Sequence, residues 1–337
     1  MLRSLFSGIS GLRAHQQMMD VTGNNIANVN TAGYKSSQAV FQDTLSQLLK
    51  TAGSAQNGNG GSNPAQIGLG VKLAGIGINF GQGAAQTTGR STDLMINGDG
   101  FFVVKSAGEQ IYTRAGSLSF DANGALIDPQ GGTVQGWQAT NGVLSTNATP
   151  TDVHLPTGYL LPPVATTAVT MSGNLPADST STTPVMPSIV VYDQQGVAKT
   201  LTVSFTKVNS TNWTAAVSDG TTTSAAVPIA FAPDGSTPNP TTLAFGGITV
   251  DVAGLTSDAG SSSVAPQSQN GSTLGMLQAF TISPVGTIIG VFSNGLKQPI
   301  AQIAMASFNN PGGLERAGNT DFRTTVNSGP AQIGTAG

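Results

Sequence analysis

Few side chains in this sequence are equipped for covalent or acid–base chemistry, and those few lack partners at useful spacing. There is no cysteine, which excludes disulfides, thiolate nucleophiles and Cys-ligated zinc together. His15 and His154 are the only imidazoles, so a Ser-His-Asp hydrolase would have to use one of them. His15 falls on a predicted helix and His154 sits between Val153 and Leu155 near several prolines, settings that suit solvated or packed structural histidines. Gly196-Val197-Ala198-Lys199-Thr200 lacks the two-glycine spacing with which backbone amides wrap a phosphate. Gly75-Ile76-Gly77 followed by Gly81 misses the dinucleotide spacing as well. Asp121, Asn123 and Asp128 carry oxygens of the kind a calcium loop uses, but the EF-hand spacing and its terminal Glu are missing. An Asn-Gly hairpin turn accounts for the same residues. The spacing of the 16 acidic residues singles out no glycosidase pair. The sequence therefore reads as not an enzyme, with no catalytic residue, no cofactor and no metal site; a structural or interaction protein is the leading class.

Composition narrows the class further. A chain of 337 residues allows two or three compact units, and 44 Gly with 18 Pro favour turns and short strands over an all-α architecture. Only 9% of residues are charged, where about 25% is ordinary, so Ser, Thr, Asn and Gln must keep the surface wet. A net charge of −3 without a basic stripe argues against nucleic acid as a partner. The longest charge-free stretch, Ala259–Leu296, is too rich in Gly, Ser and Thr for a membrane span, so no membrane insertion is expected. The opening residues MLRSLFSGISGL lack an uninterrupted apolar run and a cleavage signal, so no cleaved secretory leader is expected.

The elements that could position a functional surface begin at the N-terminus. Residues 1–28 predict a helix in which Leu2, Leu5, Ile9, Leu12, Met19 and Ile26 recur in alternating steps of three and four, with Gln16 and Gly23 in the remaining slots. So narrow a seam calls for another helix or neighbouring copies; docking on the chain's own domain is the plain alternative. Asn24 to Lys35, with four Asn and Gly33, would end the helix. A second short helix is expected after Ser36 or Ser37, with Val40, Phe41, Thr44, Leu45, Leu48 and Leu49 on one side. Gly53–Pro64 reads as a flexible linker.

From about Ile67 the apolar period shifts to two. Hairpins are predicted around Asn97-Gly98-Asp99-Gly100, flanked by Leu94–Ile96 and Phe101–Val104, and around Asn123-Gly124, Asn141-Gly142, Asp193–Gly196 and Ser293–Gly295. Pro150, Pro156, Pro162 and Pro163 mark a boundary. The expected fold is mainly β and multidomain, with an N-terminal α-helix. A coiled-coil-like core helix occupies 1–35 and a connecting region with a short helix 36–85. A discontinuous inner β domain takes 86–149 and 274–333, an outer β domain is inserted at 150–273, and 334–337 form a tail.

Several stretches carry a family likeness. Leu5–Leu12 (LFSGISGL) followed by Met19–Lys35 (MDVTGNNIANVNTAGYK) resembles the N-terminal signature of the bacterial flagellar rod/hook axial protein family. Leu94–Phe102 (LMINGDGFF) and Tyr112–Gly116 (YTRAG) through Phe120-Asp121 resemble segments shared by rod and hook members. Val191–Gly196 (VYDQQG) with Leu201-Thr202-Val203 and Trp213 resembles the outer domain carried by the hook members. Ser293-Asn294-Gly295, Gln302-Ile303-Ala304 and Phe308–Glu315 (FNNPGGLE) resemble the returning half of their inner β domain.

The resemblance implies a subunit that polymerises with itself into a curved, flexible tube joining rod to filament and passing on motor torque, as a universal joint does. It implies Leu2, Leu5, Ile9, Leu12, Met19 and Ile26 as the polymer-core interface, and Asn24, Asn25, Asn28, Thr31, Gly33 and Tyr34 as signature positions. Implied partners are the distal rod protein, the hook cap protein, the hook–filament junction protein and the flagellar type III export apparatus. The implied location is the hook of the flagellum outside the cell, reached without a cleaved signal peptide. Family members close with a second amphipathic helix beside the first, whereas this sequence ends in Gly334–Gly337 without a helical period. The alternatives are a distal-rod protein of the basal body and, from another class, a β-sandwich cell-surface binding module.

Overall fold

The predicted terminal helix forms over Leu2–Ala27 in the computed structural model, which describes residues 2–54, 60–155, 158–180 and 183–337, Leu2 by its backbone alone. Its end is built by side chains that compete with helical bonding. Asn28 donates from Nδ2 to the Asn24 carbonyl at 3.0 Å, and Thr31 N and Tyr34 N close successive turns on Asn28 O and Thr31 O at 3.0 and 3.2 Å. Gly33, at φ +76°, supplies the left-handed residue that the turn requires.

The helix lies on an antiparallel strand pair, Ser37–Asp43 with Val71–Ile78. It does so with a face of small side chains. Ala14 is buried, and Ser7, Ser10, Gly11, Val21 and Asn25 are half-buried. Ser10 Oγ accepts a hydrogen bond from Val71 N at 3.3 Å, and His15 meets the Phe41 ring edge-on at 5.7 Å.

The second helix expected after Ser36 does not form. Residues 37–43 are a strand alternating half-buried with exposed positions, and Ser46–Lys50 is another, paired with Ala65–Gly68 and exposed along its whole length. Val40, Phe41, Thr44, Leu45, Leu48 and Leu49 fit a helical stripe only if the segment is taken alone. β-branched and aromatic residues at 40 and 41 favour strand once a partner exists, and that partner comes from distant chain. Within the expected linker, Gly53 and Ser62 form a bridge, and residues 55–59 lie outside the described residues.

The chain divides into two units, Met1–Pro156 with Thr281–Ile289 and Pro299–Gly337, and Thr157–Phe280 with Gly290–Gln298. The sheet of the first unit is antiparallel. Thr133–Thr140 pairs with residues 301–303 of Lys297–Ile303 and with Phe101–Ser106. Phe101–Ser106 pairs with Glu109–Thr113, and the latter with Asp321–Arg323, whose outer neighbour is Glu315–Gly318. Phe101, Val103, Tyr112, Trp137, Phe308, Leu314 and Phe322 fill the core beneath it, with Ile78 and Phe80 packed against them. The hairpin expected between Leu94–Ile96 and Phe101–Val104 is not there. Leu94 instead bonds to Gly116 O at 2.8 Å, and Phe101–Ser106 turns back at Ala107-Gly108 onto Glu109–Thr113. The turns at 123–124 and 141–142 form as hairpins, the second with φ of 53° and 75° at Asn141 and Gly142.

The second unit is a β-sandwich. One sheet runs in the order Thr242–Phe245, Ile248–Thr256, Ala168–Asn174, Ala265–Gln269, its central pair parallel. The other is antiparallel, Ser188–Tyr192, Ala198–Lys207, Asn212–Ser218, Val227–Phe231, Pro238–Asn239. Strict alternation of buried and half-buried residues along Asn212–Ser218 sends Trp213, Ala215 and Val217 inward. They meet Val169, Met171, Val250, Val252, Phe205 and Ile229 in one core. The first unit keeps Val153, whose N donates to Val134 O at 3.0 Å, so the chain leaves it later than Pro150; Pro156 lies outside the described residues.

Candidate functional site

The terminal helix has two unlike faces. Opposite its docked small-residue face stands the apolar row anticipated from the heptad: Leu5 is 60% exposed, Ile9 37%, Leu12 74%, Met19 65% and Ile26 67%. The Leu2 side chain lies outside the described residues. Phe6 and Val29, also strongly exposed, widen the row. Phe6 breaks the three-four rhythm and Val29 lies past the helix end, so the heptad gave no sign of either. An apolar stripe of this length left in water marks an interaction surface.

The six signature residues divide into two groups. Asn24, Asn28 and Thr31 form a local relay at the helix end: Asn28 Nδ2 donates to Asn24 Oδ1 at 2.9 Å, and Thr31 Oγ1 donates to Asn28 Oδ1 at 3.1 Å. Asn25, Gly33 and Tyr34 reach across the turn. The Asn25 amide pairs with the backbone of Ser37 as a strand neighbour would, accepting from Ser37 N at 2.9 Å and donating to Ser37 O at 2.7 Å. Asn25 Oδ1 also accepts from the Tyr34 hydroxyl at 3.0 Å. Gly33 lies so close to the Ala115 backbone that a Cβ there would come within 2.7 Å of Ala115 N.

Three basic side chains complete this joint, and none was anticipated as a site residue. The Arg316 guanidinium stands 5.0 Å above the Tyr34 ring, donates to Ser37 Oγ at 3.0 Å and also donates to Lys35 O. Lys35 Nζ donates to Gly81 O at 2.9 Å; burial lowers its pKa, and the Arg114 charge lowers it further. Arg114 is buried over the Phe101 ring at 5.0 Å and donates to Phe80 O at 3.2 Å. Burial lowers its pKa, opposed by Asp99 at 3.7 Å. Lys35 and Arg114 belong to stretches that carry the family likeness. Arg316 lies 281 residues from Lys35, and no local pattern connects them.

The chemistry-bearing residues are dispersed. His15 packs on Phe41, and His154 forms an isolated antiparallel bridge with Ala125. Asp121 Oδ1 accepts from Asn123 N and Ala125 N, whereas Asp128 Oδ1 accepts from Gln130 N and Gly132 N, so the calcium-like trio is spread over two separate turns. Among the described residues no three His, Cys, Asp or Glu come together as a metal site, and no helix is long and apolar enough to cross a membrane. What the geometry does offer is an exposed apolar stripe on a helix whose end is held at a polar joint.

Known proteins carry similar segments. Residues 5–35 match the flagella basal body rod protein family, and residues 95–183 match the flagellar hook protein FlgE/F/G D1 domain. The chain is similar to the flagellar hook protein FlgE of Treponema pallidum, 36% identical over 100% of this chain and 88% of the relative. It is 34% identical to the FlgE of Borreliella burgdorferi over 100% and 88%, and 32% identical to that of Salmonella typhimurium over 99% and 86%. The crystal structure of Helicobacter pylori flagellar hook protein FlgE2 shares the fold, with a TM-score of 0.53 at 15% identity, covering 70% of this chain and 93% of that one.

Proposed function

The chain belongs to the flagellar hook protein family and is a structural subunit of the hook, and from that premise we propose that its exposed helical stripe is the polymer-core interface. The interface comprises Leu5, Ile9, Leu12, Met19 and Ile26, continued in sequence by Leu2. One observation carries this reading: the helix already has a docked face, and the large apolar side chains are on the other one. Fully burying five such side chains contributes on the order of 10 kcal/mol per copy before ordering costs.

The Thr-, Ser- and Asn-rich second unit supplies weaker contacts. Wet, polar contacts break and re-form with little penalty, so a strong inner tube with a yielding outer layer resists twist yet bends. By family resemblance the neighbours along the axis are the distal rod protein, the hook cap protein and the hook–filament junction protein. Export proceeds through the flagellar type III apparatus with the N-terminal region retained.

The test is the pair Leu5→Asp and Ile9→Asp in the full chain. Both β units keep their melting transitions while polymer growth stops. Filaments of normal length in electron micrographs would refute the assignment.

A further inference from the structure

The joint between helix and β body contains a residue that does more than fill space. Asn24, Asn28, Thr31 and the Asn25–Ser37 pairing connect residues close in sequence, so they shape the turn without fixing its attitude toward the sheet. Arg316 supplies a link from remote chain. Its backbone lies on Glu315–Gly318, paired with Asp321–Arg323, whose Phe322 is buried in the first-unit core. Its guanidinium holds the Tyr34 ring, the Lys35 carbonyl and the Ser37 hydroxyl together, and Tyr34 in turn donates to Asn25 on the helix. Among the described residues Arg316 has no carboxylate within ion-pair distance, so its half-buried charge is met by the joint itself. A planar guanidinium stacks face-on over a ring while donating in its own plane to oxygens beside it, a geometry that the point charge of an ammonium on a comparable stem reproduces poorly.

We propose that Arg316 is the positioning residue that sets the angle of the terminal helix against the β body of the first unit. It thereby passes load from the polymer core to the sheet. The load-bearing half of this inference rests on the helix being the core element; the positioning half does not.

The experiment uses the purified full-length monomer, with hydrogen exchange at the amides of residues 25–37. In R316A these amides exchange about ten- to a hundredfold faster, as expected when charge-assisted bonds to a joint are lost. The amides of Phe101–Ser106 keep their protection. R316K, which retains charge and stem, recovers less than half of the logarithmic change. Y34L accelerates exchange as R316A does, and adding it to R316A has little further effect because the two act as one unit. Should R316A disturb the body, R316K alone still decides the matter, because its body amides stay protected while the joint opens. Unchanged exchange in R316A, full rescue by lysine, or additivity with Y34L overturns the proposal. Leu5→Asp with Ile9→Asp leaves joint exchange unaltered, so the interface reading and the clasp stand or fall separately. In polymers that form from R316A subunits, lower torsional stiffness of the hook is expected, and stiffness equal to the wild type refutes the load-bearing half.

Discussion

The second unit and the terminal helix are drawn from the same charge-poor composition, yet one finishes its core alone and the other does not. In the sandwich, Trp213, Ala215 and Val217 alternate inward and meet a second sheet that the same chain supplies. On the helix, Leu5, Leu12 and Met19 follow an equally regular period and stay 60–74% exposed. Regularity of pattern specifies an element, whereas the arrangement of partners decides whether that element is satisfied. A subunit destined for a polymer differs from a solitary globule in the second property, not the first.

Substitutions on the two sides should separate cleanly. Phe205→Ala removes a fully buried ring from the sandwich and should lower that unit's stability by about 3–5 kcal/mol. Leu12→Ala on the stripe should change monomer stability by less than about 0.5 kcal/mol. Urea titration read separately at Trp137 and Trp213, one tryptophan per unit, checks both, and a large loss for Leu12→Ala would erase the contrast. The docked face of the helix ought to behave as interior. Ala14→Leu adds bulk at a buried position of the docked face and should cost about 1–3 kcal/mol, with faster proteolysis near residue 14 as the readout. Tolerance of leucine there would mean that the small-residue face is not packed.

Gly33→Ala should destabilise the joint by about 1–3 kcal/mol, since both the positive φ and the Ala115 backbone oppose a side chain. Hydrogen exchange at Tyr34 and Lys35 reports it, and wild-type protection would contradict the close approach. The smallest effect concerns pH. Burial raises the pKa of Asp321, with Asp128 adding to it and the Thr113 hydrogen bond opposing. A carboxyl raised in the folded state stabilises fully below the ordinary carboxylate range, and that contribution is lost as pH rises through the raised value. Asp152, lowered mainly by its bond from Gln135, has the opposite sign and loses its contribution as pH falls. The melting temperature of Asp321→Asn relative to wild type should therefore rise as pH climbs from the ordinary carboxylate range through the raised value and then level off; a flat relative value would remove Asp321 as the source.

Much of this was legible in the sequence wherever the deciding interaction is local. The heptad of Leu5, Ile9, Leu12, Met19 and Ile26 needs no partner to be recognised, and Asn-Gly turns carry their own backbone requirement. Ser37–Asp43 reads as helix when taken alone, because its apolar residues suit either period until Val71–Ile78 is brought beside it. Leu94–Ile96 failed for a related reason: Asn97-Gly98 looks like a hairpin turn, but Phe101–Ser106 pairs onward. Arg316 was invisible, because a cation over a tyrosine far away in the chain leaves no rhythm to detect. Tertiary pairing settled these cases, and period alone could not.

The excursion between Asp43 and Val71 is closed at its base, where Thr44 N meets Gly70 O at 2.9 Å and Leu69 N meets Leu45 O at 3.1 Å, and it touches the helix at Gln47, whose Oε1 accepts from Arg3. Adding chain beyond the Gly53–Ser62 bridge, past that contact, should tax the subunit chiefly through closure entropy, about 0.6 kcal/mol for each doubling. That makes the segment past the bridge a natural place to splice an epitope or a fluorophore.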